Sequence, residues 1–556
     1  MSGPDGVAAH LFRGESRPDL LRMPDGDPRP LSRPEELFLA RLRSFCAGID
    51  SAGIERDDHV PDEVVDELRD LGALAIRIPV EYGGLGLSDL CYYRALMVVC
   101  SAHPALGELL AAHQTIGLVQ PLLVAGTEQQ KRKYLPRCVR EISAFALTEA
   151  EVGNDPFRVR TTAVPHAGSY VLNGVKLWIT NGVVADLLVV LALVPDKGIT
   201  AFVVESATAG VTVEHRSSFL GLRGVENGSI RLRDVVVPAE NLIGAEGAGL
   251  DVALEAQHTG RLSLPAACAA KAKWALGVGR QWAAVREQWD RPIGGHDAVA
   301  GKLAFLAGTA FALEALVEVT ARQQHLDTRL DAELAKLFAT EKAWQVADEL
   351  VQLRGGRGYE TADSAAERGE RGVPAEQALR DTRIGRIFDG SSEVLRVFLA
   401  QALPFSGSAP DAVPITASGP LADYLRFVDG AARRLADEIG AVDEAAGQRH
   451  LGRLVDIGAE LYAMVVTCVY AEALPEDNAH EPASAFCGQA RGRVAHLFEQ
   501  LTRNNDAGDR EVATGVLAGR YRWLEDGVLD PSADGPWIAE PVEGKDIRRT
   551  IGRNPR

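Results

Sequence analysis

Five short segments of the chain carry side chains able to do chemistry. Arg383–Val397, RIGRIFDGSSEVLRV, sets Asp389 directly before Gly390, and a carboxylate on a turn can take a proton from a bound molecule. In an anonymous sequence the same pair reads as a solvated turn acid. Phe145–Asp155, FALTEAEVGND, and Trp178–Gly182, WITNG, combine hydroxyls, an amide and an indole, although each alone is a strand and turn of any β domain. Arg286–Ile293, REQWDRPI, offers cations, and Gln352–Tyr359, QLRGGRGY, reads by itself as a glycine-rich helix end. The seven cysteines are scattered without a CxxC pair, which predicts no zinc site, no complete disulfide set and a reducing, cytoplasmic setting.

The chain that must position these residues has 556 of them and a net charge of -18, enough for several domains and unfavourable for nucleic-acid phosphates or anionic lipid. MSGPDGVAAH lacks a basic region before an apolar run, so no secretory signal is expected. The longest apolar run, Ala185–Val194, is half of what a bilayer requires and reads as a buried strand; no transmembrane segment is expected. Residues 1–32, rich in Pro, Gly, Asp and Arg, read as an irregular arm. Residues 33–143 read as helical: Val64, Val65, Leu68 and Leu71 fall on one helix face, with Pro61 at the start and Gly72 at the end. β-rich runs punctuated by turns occupy 144–248. Helical stretches return over 249–403, a Pro-, Ser- and Gly-rich linker covers 404–420, and 421–556 reads as an additional helical domain.

The order of the motifs resembles the acyl-CoA dehydrogenase family. RIFDGSSEVLR is similar to the family's I-[YF]-E-G-[TS]-x-[ED]-I-x-R with Asp389 in place of glutamate, FALTEAEVGND to its first flavin signature, REQWDRPI to RxQFGxPI and QLRGGRGY to Q-x-x-G-G-x-G-[FY]. The similarity runs from about Pro34 to Leu403 and includes AHQTIG, Ala112–Gly117. Together with the C-terminal extension, AHQTIG resembles the very-long-chain type. Val152 and Asn154 depart from the signature's small residue and Ser or Thr, and Asp290 stands at a family glycine. Thr361–Pro374 is an insertion that lengthens the segment before Asp389.

The resemblance implies an α+β, mostly helical fold: an N-terminal helical domain, a middle β domain and a C-terminal four-helix bundle, here with an extra helical module. It implies FAD, held through Phe145, Leu147, Thr148, Asn154, Trp178, Ile179 and Thr180, and, across a homodimer interface, through Arg286, Gln288, Trp289, Gln352, Gly355 and Gly356, with Ser391 and Glu393. Asn154, His258, Arg261 and Gly390 are the implied substrate contacts. Asp389 is the implied base for α,β-dehydrogenation of an acyl thioester, carried by coenzyme A or a carrier protein, with Arg261 orienting its carboxylate and lowering its pKa. Its amide N–H is implied to bond the thioester oxygen. The alternative base position of some members, one residue before Arg261, holds Gly260. An electron-transfer flavoprotein is the implied acceptor and fatty-acid metabolism the implied setting. Two rivals share the fold: a flavin oxidase or monooxygenase similar to nitroalkane oxidase, which uses aspartate, and a non-catalytic homologue.

Overall fold

The computed structural model describes residues 5–405, 419–442, 446–549 and 551, and most of the linker read at 404–420 lies outside the described residues. Ahead of the sheet come α1 Val7–Phe12, α2 Arg33–Cys46, α3 Ser51–Asp57, α4 Asp62–Asp70, α5 Asp89–Ala102, α6 Pro104–Ala111, α7 Val119–Ala125 and α8 Glu128–Cys138. In α4 the periodic Val65 and Leu68 are buried, and Gly72, at φ 84°, takes the left-handed turn just past the helix that favours glycine. A capping box between Ser32 and Glu35 starts α2, while the second Glu35 oxygen accepts from the amide of Ser88, the N-cap of α5. One carboxylate thus fixes two helix starts.

The first 32 residues are not irregular throughout. Val7, Ala8, Leu11 and Phe12 of α1 are all buried, because VAAHLF repeats its apolar residues at helical spacing inside a Pro- and Gly-rich context that hides the pattern. A Cβ on Gly458 would lie 2.3 Å from the Phe12 ring, so glycine there admits the aromatic wedge.

The middle region is an eight-stranded sheet in the order β6-β7-β3-β2-β4-β5-β8, with β1 beside β4. Its strands are β1 Ser143–Ala146, β2 Thr162–His166, β3 Ser169–Ile179, β4 Leu187–Val194, β5 Gly198–Glu205, β6 Val211–Arg216, β7 Gly228–Pro238 and β8 Leu242–Ile243. The long apolar run is β4, whose residues lie between the two hydrophobic cores. Near the end of β3 the register against β7 shifts between Lys176 and Ile179, and Trp178 takes φ 56°; such a bulge re-aims a side chain.

Helices α9 Gly249–Gly260, α10 Ser263–Val285, α11 Asp297–Thr320, α12 Arg329–Arg354, α13 Gly356–Tyr359, α14 Ala362–Glu367, α15 Ala375–Arg383 and α16 Ser392–Ala400 follow. A short hairpin, β9 Glu287–Gln288 and β10 Arg291–Pro292, interrupts them. The module beyond contains α17 Ala422–Gly440, α18 Gln448–Ala473, α19 His480–Thr502 and α20 Asp506–Leu517. Helices α11 and α18 are long and apolar enough to cross a bilayer, but 67% and 89% of their most apolar windows are buried inside this fold, which accounts for their composition.

The additional helical domain does not extend through the tail. After a turn at Arg522–Leu524 the described residues form no further helix or strand, and Ile547 donates its amide to Val213 O of β6 at 2.8 Å. Arg231 of β7 reaches Pro541 O at the same distance. Residues 526–546 are too rich in Pro, Gly and Asp, and too aperiodic, to form a helix.

Candidate active site

Asp389 sits on a sharply turned loop between α15 and α16, with φ 51° there and 85° at Gly390. Left-handed backbone is tolerated by Asp and natural for Gly. Two cations hold three successive carbonyls: Lys336 donates to Phe388 O at 3.2 Å and Gly390 O at 2.7 Å, and Arg261 donates to Asp389 O at 3.0 Å. The amide N–H of Asp389 makes no hydrogen bond among the described residues.

Arg261 therefore orients the loop through its main chain, which corrects the expected contact with the carboxylate. Its other partner is Glu333, at 2.8 Å from Nε, and His258 Nδ1 stands 3.5 Å from the same carboxylate. Two of the four expected substrate contacts, His258 and Arg261, are thus tied to Glu333. Burial works against the Glu333 charge, but Arg261 and His258 outweigh it and hold its carboxyl below the usual range. Burial and the Arg261 charge push the Lys336 ammonium down to about 8. Neither Glu333 nor Lys336 was singled out from sequence; the available signal was two charges spaced i, i+3 on a helix with buried neighbours.

Asp389 lines a partly open cavity together with Thr180, Arg261, Thr115, Glu108 and Phe388. Part of the wall is a π-helical turn, Ala112–Ile116, which is the AHQTIG segment; its His113 is buried, accepts from the Ser143 amide at 3.0 Å and is pushed down to about 4 by burial, so it is neutral. Gly260 lies on the same wall, where a Cβ would come within 2.3 Å of Thr115 Cβ. A base carried at that position has no room.

The two β-domain motifs meet: Leu177 donates to Thr148 O at 2.9 Å, and the buried pair Lys176–Glu149 closes at 2.7 Å, with Thr161 also donating to Glu149. Asn181 anchors the strand end to Leu109 O of α6 at 3.1 Å. Thr180 faces the cavity and accepts from Asn227 at 3.4 Å, while the Trp178 indole stands 56% exposed beside it. Exposed indole, cavity-facing hydroxyl and half-buried acid suit a planar heteroaromatic ring laid on that rim. Ile179 is buried in the main core, and Phe145 and Leu147 pack on the second core, so their side chains support the rim from behind. Asn154 reaches Ser391 at 3.4 Å, joining the β domain to the N-cap of α16; Glu393 is exposed two residues further.

The remaining predicted residues gather elsewhere. Trp282 near the end of α10 donates to Leu353 O near the end of α12 at 3.1 Å, which brings Arg286, Gln288 and Trp289 to the same end of the bundle as Gln352, Gly355 and Gly356. Gln288, Trp289, Gln352 and both glycines are exposed. Trp289 and Asp290 form a two-residue hairpin loop with φ 50° and 60°, a type I′ geometry that favours glycine; this is a physical reason for the family residue at position 290. Gly355, at φ 61°, has open space around its missing side chain. The insertion Thr361–Pro374 belongs to this end too: Arg371 bonds Gln281 at 3.0 Å, and Glu370 pairs with Arg357 and Arg368. It decorates the far end of the bundle and leaves the Asp389 loop where α15 and the two cations hold it.

Comparison with known proteins identifies the family. The chain matches the acyl-CoA dehydrogenase N-terminal domain over residues 33–141, the middle domain over 144–235 and the C-terminal domain over 247–403. It is 46% identical to a probable acyl-CoA dehydrogenase FadE10 of Mycobacterium tuberculosis, across 98% of this chain and 94% of that one. The mitochondrial very long-chain specific acyl-CoA dehydrogenase of Bos taurus is 34% identical over 67% of this chain and 58% of its own length. An acyl-CoA dehydrogenase complexed with FAD from Bacillus anthracis superimposes with a TM-score of 0.78 at 26% identity, covering 92% of this chain and 94% of that one. With all three domains matched in order, the chain belongs to the acyl-CoA dehydrogenase family of FAD-dependent oxidoreductases.

Proposed function

We propose that the protein oxidises an acyl thioester between its α and β carbons, with the Asp389 carboxylate as the base that takes the α-proton. The observation that carries this reading is the place of Asp389 on a cavity beside Thr180, on a loop whose three carbonyls are drawn to Arg261 and Lys336. That clamp turns the carbonyls one way and leaves the Asp389 N–H free to donate to a thioester oxygen, which acidifies the α-carbon. Bound FAD supplies the hydride acceptor. Trp178 and Thr180 would hold its ring, and Arg286 and Gln352 its pyrophosphate. Gln352 lies about 24 Å along α12 from Lys336, at roughly 1.5 Å per residue, so the loop that Lys336 holds and the pyrophosphate-holding Gln352 of one chain are far apart along that helix. The span between the Asp389 loop and Gln352 supports a homodimer in which each chain completes the other's cofactor site. The thiol carrier is coenzyme A or an acyl carrier protein, and an electron-transfer flavoprotein takes the electrons.

Anaerobic mixing of the FAD-loaded protein with a panel of acyl-CoAs tests the reading through bleaching of the flavin absorbance. Bleaching in the native protein, slowed about 10² to 10⁴-fold in Asp389→Asn with FAD still bound, is expected for loss of a general base. Unchanged reduction in Asp389→Asn would assign proton removal to another group.

A further inference from the structure

Helix α6, PALGELLA, is apolar except for Glu108, and this acid lies on the wall of the cavity that Asp389 lines. Its neighbours on that wall include Leu96, Cys100, Ala111, Leu264 and Ala267, and the cation on the same wall, Arg261, is engaged by Glu333 and the Asp389 carbonyl. Among the described residues the Glu108 carboxyl has no hydrogen bond and no ion pair. A partly buried carboxyl on a largely apolar wall without a partner is costly, and the proposed dehydrogenation, whose base is Asp389, makes no use of it. Burial and the nearby Asp389 charge push it up to about 8, so near neutral pH it presents both an O–H donor and a C=O acceptor. That pair matches a hydroxyl group, which donates and accepts at once.

We propose that Glu108 is a specificity residue that hydrogen-bonds an oxygen substituent on the acyl chain, so that the substrates are acyl thioesters hydroxylated beyond the β-carbon. The inference rests on the dehydrogenase reading above. Asp389 acts at the α-carbon, and Glu108 meets the chain further along the same cavity. An unsubstituted chain reaching that wall covers the carboxyl and leaves it without a partner, whereas a hydroxylated chain completes it. Sites built to bond a hydroxyl discriminate strongly against analogues that lack it.

The test uses the intact FAD-loaded protein and pairs of acyl-CoAs of equal length, unsubstituted or carrying one hydroxyl at successive positions from the fourth carbon outward. The readout is the rate of anaerobic flavin reduction divided by the apparent dissociation constant. The native protein is expected to prefer one hydroxylated isomer on the order of 10- to 100-fold over the unsubstituted chain. Glu108→Leu should reverse that order, with the plain chain gaining and the hydroxylated one losing, and Glu108→Gln, which still donates and accepts, should retain most of it. Absence of any hydroxyl preference in the native protein, a preference that survives Glu108→Leu, or a stronger response to an amino-substituted chain overturns the assignment of Glu108 while leaving the dehydrogenase reading intact. Failure of every acyl-CoA to bleach the flavin overturns both.

Discussion

Arg261 holds Asp389 by its main-chain oxygen, at 3.0 Å, and among the described residues the Asp389 carboxylate carries no hydrogen bond or ion pair. The arginine's charge is spent on Glu333, which is 5% exposed. The guanidinium therefore sets where the base sits and leaves its side chain free to point into the cavity.

Arg261→Gln should cost both stability and rate. It leaves Glu333 buried with only His258 at 3.5 Å, a broken buried pair worth about 3 to 5 kcal/mol, and it releases one of the three clamped carbonyls. Urea unfolding should show the loss of stability. Flavin reduction by acyl-CoA should slow on the order of 100-fold as the base loop loses its position, with FAD content retained.

Asp389→Glu restores the family's residue but should lower activity here. The loop cannot retreat, because Lys336 and Arg261 fix the carbonyls on both sides of the side chain, so the added methylene advances the carboxylate by about 1 to 1.5 Å, a misplacement that costs on the order of 10- to 100-fold. Rapid-scan reduction rates measure this directly, and a rise in rate would show that the pocket is built for the longer acid. Transferring the base in Asp389→Asn/Gly260→Glu should give no rescue, since Thr115 already occupies the space of a Cβ at 260.

Hybrid dimers test whether the cofactor site is shared between chains. Asp389→Asn and Arg286→Ala should each be nearly inactive alone. Co-expressed with different tags and purified as hybrids, they should regain about half of the native activity per dimer, because one site then combines an intact Asp389 with a partner's intact Arg286. Hybrids as inactive as their parents would place both residues in the same chain's site.

Asp331 makes the N-terminal helix pH-sensitive. This acid in the first turn of α12 is 1% exposed and accepts from the Ala8 amide of α1 at 3.4 Å; burial pushes its carboxyl up to about 7. Between about 4, where the unfolded acid titrates, and 7 the folded chain keeps a proton that the unfolded chain has lost, so this contribution is full below that window and is lost as pH rises through it. Asp331→Asn removes the titration. The difference in urea midpoint, variant minus native, should grow in the variant's favour from pH 5 to pH 8, and a difference constant with pH would contradict the assignment.

The residues nearest the chemistry were legible because their function is written in local backbone form. The Asp389–Gly390 turn, the bulged Trp178 before Thr180 and the Gly355 terminus each depend on a few adjacent residue types, so short motifs carried them, and the alternation of helical and β-rich stretches marked the domain order. Helix α1 and the tail were misread, the first because six periodic residues are too few to stand out among prolines and glycines, the second because the module before it is strongly helical. What only the tertiary structure decided is how distant helices converge. Arg261 on the loop after α9, Glu333 and Lys336 on α12 and Glu108 on α6 meet around one loop because the bundle and the N-terminal helices pack together; no local pattern encodes that a charge on one helix will answer a carbonyl more than fifty residues away. Charges on a helix read as solvated faces until packing removes the water, and then they must find partners or wait for a ligand.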